Sequence, residues 1–258
     1  MDFILYGFSI ARNAFNRNKI YLSNHILNTV GSFIFGYIYA SIWRAVLKDS
    51  DESGKMVTYV MVNQAALWVS MFLPYGCFLQ EKVRDGSIVF QILRPFNIMY
   101  YSFFETLGHV CYNFLYRSIP IYILSVLLLG TYLPEPSQIL PYFISLSNAF
   151  LVAFFLNYFV GLWAVKFFDF SAAQGLYYFF MNILGGFFIP AEFFPGFISR
   201  IFPYTPFACT SYISGSIYLG NFDFLKGFYI QFFWILVLGT SAYILSEKVI
   251  KKINIQGG

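Results

Sequence analysis

Glu105, His109, Asn113 and Arg117 follow one another at intervals of four residues inside an otherwise apolar run, Tyr100 to Leu129. On a helix each such step drifts by about 40°, so the four polar heads form one slanted stripe. Ionisable groups at membrane depth cost about 2.5 to 3.5 kcal/mol each on insertion scales, and they face protein or water rather than lipid. Two kinds of chemistry suit the stripe. It can be a polar lining beside a substrate path, or an internal network in which Glu105 pairs with His109 and Asn113 with Arg117 to staple helices together. Glu105 and His109 lie nearer the cytoplasmic end, where they can also meet headgroups. Arg117 is deeper, and its guanidinium, which only donates, requires an acceptor.

Covalent and metal chemistry lack their parts. The only histidines are His25 and His109, no serine stands in a Gly-x-Ser-x-Gly context, and no membrane-facing aspartates are paired. Cys77, Cys111 and Cys209 are far apart, without CxxC spacing, and read as buried free thiols. Gly54 and Lys55 form no phosphate loop, because the upstream glycine and the following Ser or Thr are absent. No catalytic, cofactor-binding or metal residue is therefore assigned.

The elements that must position the stripe are membrane helices. Of 258 residues 59% are hydrophobic and only 11% charged, against about 25% charged in a soluble domain. Six continuous apolar runs can be read: Ile20 to Trp43, Met56 to Leu79, Tyr100 to Leu129, Ile139 to Val165, Ala172 to Ile189, and Gly227 to Leu245. Each suffices for a span of roughly twenty residues, and continuity without polar alternation favours helices over a barrel. The fold class expected is all-α integral membrane, with six transmembrane helices. One set of flanks holds Arg12, Arg17, Lys19, Lys82, Arg84, Arg94, Lys166, Lys248, Lys251 and Lys252; the other holds Arg44, Lys48, Lys55, Arg200 and Lys226. Ten cations against five place both termini in the cytoplasm, as in a multi-pass protein of the plasma (inner) membrane. The net charge of +4 reflects this topology and makes no case for nucleic acid.

Three further stretches are neither span nor plain loop. Residues 1–19 mix aromatic and aliphatic residues with Arg12, Arg17 and Lys19, which predicts an amphipathic helix lying on membrane lipid. Gln80 to Asn97, QEKVRDGSIVFQILRPFN, is charged at its front and apolar at its back. Ile88, Ile92 and Phe96 repeat every four residues with Val89 and Leu93 beside them, predicting one short amphipathic helix that Pro95 ends. From Pro190 to Asn221 the chain is too apolar for an outer loop and too interrupted for a span. Pro190, Pro195, Pro203 and Pro206 punctuate it, and only Glu192 and Arg200 are charged. A re-entrant pair of short helices, its broken backbone buried against protein, satisfies both facts.

This order of parts resembles the ABC-2 type permeases, the membrane subunits of ATP-binding-cassette exporters. RDGSIVFQILRPFN is similar to the segment before their third span, GGFFIPAEFFP to the opening of their hairpin, and PFACTSYISGSIYLG to the stretch before their last span. The resemblance implies a single transmembrane domain over residues 1–258, with residues 80–97 as the coupling element. Glu81, Arg84 and Asp85 would contact a separate ATP-binding-cassette ATPase subunit, while Ile88, Val89, Ile92 and Leu93 seat the element on the bundle. It also implies a second permease chain, identical or similar. ATP and magnesium would sit on the ATPase partner, and an amphipathic substrate would be moved or flipped outward. The chain carries no Walker-type loop of its own, so the energy must come from a partner. The rival readings are a secondary transporter or channel, and a membrane scaffold that transports nothing. The first would put ionisable groups on several spans, whereas here they concentrate on one.

Overall fold

The computed structural model describes residues 3–19, 22–48, 50–93, 97–167 and 171–250. Within them the only regular structure is helical. Helix α1 (Phe3–Asn18) lies along α6 (Ile98–Asn113), and the two backbones come close because Gly108 carries no side chain: a Cβ there would meet the Ala11 carbonyl oxygen at 2.0 Å. Ile10 and Ala14 are buried on that seam, while Ile4, Leu5 and Phe8 remain exposed.

Helix α2 (Leu22–Leu47) packs on α3 (Asp51–Ser70), the most enclosed element of the fold. Ser50 caps α3, its side chain accepting the Ser53 amide at 3.4 Å, and Asp51 and Glu52 place negative charge in the first turn. Two short helices follow, α4 (Leu79–Arg84) and α5 (Ile88–Ile92). Helix α6 continues through a π turn (Phe114–Ser118) into α7 (Ile119–Leu129). The π turn relieves Pro120, whose ring would otherwise crowd the Tyr116 carbonyl of a regular α-helix.

Helix α8 (Pro136–Phe167) is the second pillar: it packs on α3, α4 and α12 (Phe224–Ile250). Between them come α9 (Ser171–Leu184), α10 (Gly196–Ile201) and α11 (Tyr212–Tyr218). Tyr158 and Ser246 hydroxyls meet at 2.9 Å across the α8–α12 seam, and Gln231 on α12 donates to the Ser145 and Cys209 carbonyls at 3.0 Å each.

Among the described residues five helices are long and apolar enough to cross a membrane: His25–Leu47, Asp51–Arg84, Ile98–Leu129, Pro136–Phe167 and Phe224–Val249. The run expected as a fifth span of six, Ala172 to Ile189, is helical only over the 14 residues of α9, about 21 Å of rise against a hydrocarbon core of about 30 Å. It stops because Gly186 turns left-handed (φ 70°) and its carbonyl oxygen accepts the Tyr59 hydroxyl, fixing the chain against α3. After it, residues 191–218 form short turns. Pro190 and Pro195 each precede one, Pro203 lies within another, and every residue of α11 is buried.

Candidate functional site

The segment expected to be one amphipathic helix is two helices set on a corner. Gly86 adopts φ 77°, and the Ser87 amide donates to Asp85 Oδ1 at 2.8 Å, closing a turn that the side chain satisfies internally. Hydrogen bonds from the Ser87 side chain and then its backbone hold the Asp85 carboxyl below its ordinary value. Ile88 is buried and Val89 and Ile92 are half-buried against the bundle, but Leu93 is 75% exposed. Gln91 takes the second buried position of α5. Three of the four apolar residues thus lie buried or half-buried. Leu93 falls off the face because the buried side of α5 centres on Ile88, Gln91 and Ile92, and Leu93 caps the helix pointing away from it. Arg94, Pro95 and Phe96 lie outside the described residues, so the stop at Pro95 does too. Glu81, Arg84 and Asp85 are exposed on the outer side. Beside them Pro74, Tyr75, Phe78, Gln80, Glu81 and Arg84 line a cavity of about 400 Å³, half polar and half apolar.

What ties this corner to the bundle is Lys82. Its side chain points inward and its ammonium pairs with Glu105 Oε2 on α6, while Arg17 of α1 donates to Glu105 Oε1 at 3.0 Å. Glu105 is 4% exposed. The charged heads also rest on aromatic faces, Lys82 over Tyr101 at 4.4 Å and Arg17 over Phe78 at 5.1 Å. One carboxylate therefore joins three elements: the α4–α5 corner, the N-terminal helix and the third long helix.

The rest of the stripe is also paired across helices rather than along one. His109 Nδ1 donates to Asn18 Oδ1 at 3.1 Å, the Asn18 amide being committed as a donor to Ala14. Arg117 Nη2 meets His25 Nδ1 at 2.5 Å, and since a guanidinium only donates, His25 accepts there and donates through Nε2 to the Asn18 carbonyl at 2.7 Å. The Arg117 guanidinium lies 4.0 Å from the Trp68 ring centroid. The expected pairs, Glu105 with His109 and Asn113 with Arg117, are not the ones made. Arg17 and Asn18 of α1 and His25 of α2 supply the partners instead. Asn113 is wholly buried, and neither of its side-chain polar atoms has a partner among the described residues.

Lys82, Arg17, Asn18, His25 and Trp68 are the residues that sequence reasoning did not assign to the site. Lys82 and Arg17 were visible as cations at the ends of apolar stretches, but nothing in their spacing pointed to Glu105. In the proline-rich segment Pro190 is buried, Pro203 and Pro206 are half-buried, and Pro195 and Arg200 are exposed. Glu192 is exposed and accepts the Tyr212 hydroxyl at 2.9 Å. Cys77 and Cys209 are buried as expected; Cys111 is exposed, because it sits on the outward face of α6.

A family model described as ABC-2 family transporter protein matches residues 53–257. No curated protein matches the chain. The match takes in the α4–α5 corner, four of the five spanning helices and the proline-rich segment, and it covers well over half of the sequence. With its long apolar helices, the chain is a multi-pass membrane protein and belongs to the ABC-2 family of transporters.

Proposed function

We propose that the chain is the permease subunit of an ATP-driven exporter and that residues 79–93 receive the stroke of a separate ATP-binding-cassette ATPase. The observation that carries this reading is the shared carboxylate. Lys82 sits on the corner and Glu105 on α6, with Arg17 on the other side of the same carboxylate. Movement of a surface corner is dissipated unless something buried links it to the membrane helices; here an ion pair with both partners enclosed does so. The outward faces of Glu81, Arg84 and Asp85 remain available for the partner, and the clustering of both charge signs suits a complementary protein surface better than a lipid one.

In this reading the chain crosses the membrane six times. The run from 172 to 189, helical over α9, makes the fifth passage, and residues 190–221 form a re-entrant hairpin before the sixth, with both termini cytoplasmic. Exposed Ile4, Leu5 and Phe8 of α1 rest in lipid. A second permease chain, identical or similar, encloses the path, and the cargo is an amphipathic molecule moved or flipped outward.

Purification of the detergent-solubilised chain from its own cell tests the proposal. A soluble ATPase should accompany it, together with one or two kinds of permease chain. Purified chain that moves cargo unaided, or that recruits no ATPase, would overturn it in favour of a secondary transporter, channel or scaffold.

A further inference from the structure

We propose that Asn157 latches a strained left-handed hinge at residues 74–78, and that the coupling corner re-orients by opening this latch rather than by bending α3 or α4. What the hinge serves rests on the coupling reading above. The hinge itself is a property of this chain alone.

Helix α3 ends at Ser70, and the Phe72 amide still reaches back to the Leu67 carbonyl at 2.8 Å. Pro74 is extended (ψ 139°), and then three residues in a row turn left-handed: Gly76 at φ 55°, Cys77 at 53° and Phe78 at 66°. Glycine adopts this region freely, whereas side chains with a Cβ are crowded there, and a succession of such residues is rarer still. Strain of this kind persists only where the surroundings over-determine it.

The surroundings here are one face of α8. Asn157 Nδ2 donates to the Pro74 carbonyl at 2.7 Å, and its Oδ1 accepts the Gly76 amide at 3.3 Å, so one side chain grips the hinge at two points. One turn before, the Phe154 carbonyl accepts the Cys77 thiol at 3.5 Å. One turn after, Gly161 lets the hinge backbone come in: a Cβ there would stand 2.3 Å from the Gly76 carbonyl oxygen. Phe154, Asn157 and Gly161 thus share the three-and-four spacing of a single helical face. The hinge carries no covalent or ionic tie to that face. Neutral hydrogen bonds, two of them from the Asn157 amide, hold the left-handed turn in place.

Cys77 reports the joint directly, being fully buried in the parent chain. Cys209, equally buried but remote, reports global loosening. In a Cys111→Ser background, N-ethylmaleimide modification of each thiol is followed by mass spectrometry in native membranes. Asn157→Leu, which deletes both bonds, and Gly161→Ala, which pushes the hinge away sterically, should each speed modification of Cys77 by about ten-fold while leaving Cys209 unchanged. A Cys77 rate within about two-fold of the parent, or a parallel rise at both thiols, overturns the latch, since local opening raises access at one site only. No ATPase enters this readout. A failed latch leaves the coupling proposal standing, and a chain without an ATPase partner leaves the latch standing.

Discussion

Lys82 and Glu105 lie 23 residues apart in the chain and close an ion pair whose side chains are 11% and 5% exposed. Removing Glu105 takes the carboxylate away from an enclosed ammonium. Glu105→Ala should therefore destabilise the detergent-solubilised protein by about 3 to 5 kcal/mol. Arg17, 54% exposed, keeps water as an alternative partner, so Arg17→Ala should lose less than about 1 kcal/mol. Thermal unfolding of the two variants checks the order, and equal losses would refute the asymmetric clasp.

That pair also marks the limit of what could be read from the residues in order. Long apolar runs are legible because burial in lipid imposes a length and a composition, and five of the six expected runs are helices of spanning length. The sixth run looked the same by hydropathy, but its length was cut by Gly186, whose conformation depends on the Tyr59 hydroxyl of a distant helix. The stripe from Glu105 to Arg117 was legible as a face. Its partners were not, because Arg17, Asn18 and His25 reach it only through the packing of α1 and α2. Periodicity over Ile88 to Leu93 likewise gave a face, but polar Gln91 takes a buried place on it and Leu93, at the helix cap, is left outside.

The coupling role makes a prediction separable from folding. Arg84 and Asp85 are exposed and make no ion pair among the described residues. Reversing both charges, Arg84→Glu with Asp85→Arg, gives up the Asp85–Ser87 turn bond but leaves the enclosed Lys82–Glu105 pair and the core untouched, so the double variant should still fold and insert. ATP hydrolysis by the accompanying ATPase should nevertheless cease to depend on cargo. Normal coupling in a well-folded double variant would remove the docking role from this corner.

Seating of the same corner is checked by two truncations. Ile88 is 7% exposed and packs in the core that Leu79 and Val165 share, whereas Leu93 is 75% exposed. Ile88→Ala should lower stability by about 2 kcal/mol or more, and Leu93→Ala by no more than about 0.5 kcal/mol. Chemical unfolding of each distinguishes this arrangement from a continuous helix, in which the two losses would match.

Asp85 gives the corner a dependence on pH. Its carboxyl is held below the ordinary 3.8 by the Ser87 hydrogen bonds, which favour the charged form. A depressed folded-state value means that the contribution is complete above the unfolded value and disappears as pH falls through the folded one. The turn should therefore be fully formed at neutral pH and loosen only below 3.8. The protection of the Ser87 amide against hydrogen exchange, relative to the intrinsic rate at each pH, should fall in that acid range, and Asp85→Ala should lack it at every pH. Protection that is independent of pH would show that Gly86 alone makes the turn.

Arg117 supplies the sharpest test of what the stripe is for. Its guanidinium is 6% exposed and, among the described residues, has neither a carboxylate partner nor any acceptor for Nε. It rests instead on neutral groups, the His25 ring nitrogen and the Trp68 face. A charge so enclosed and so weakly compensated contributes little to folding, and exchanging it for an apolar side chain removes the desolvation cost along with the contacts. Arg117→Leu should thus leave thermal stability unchanged or raised, while Trp68→Ala, which keeps the charge and strips away its aromatic support, should lower it. If Arg117→Leu also impairs transport, the residue lines the substrate path. If it instead prevents assembly of the protein, the guanidinium is a structural staple and the lining role is excluded.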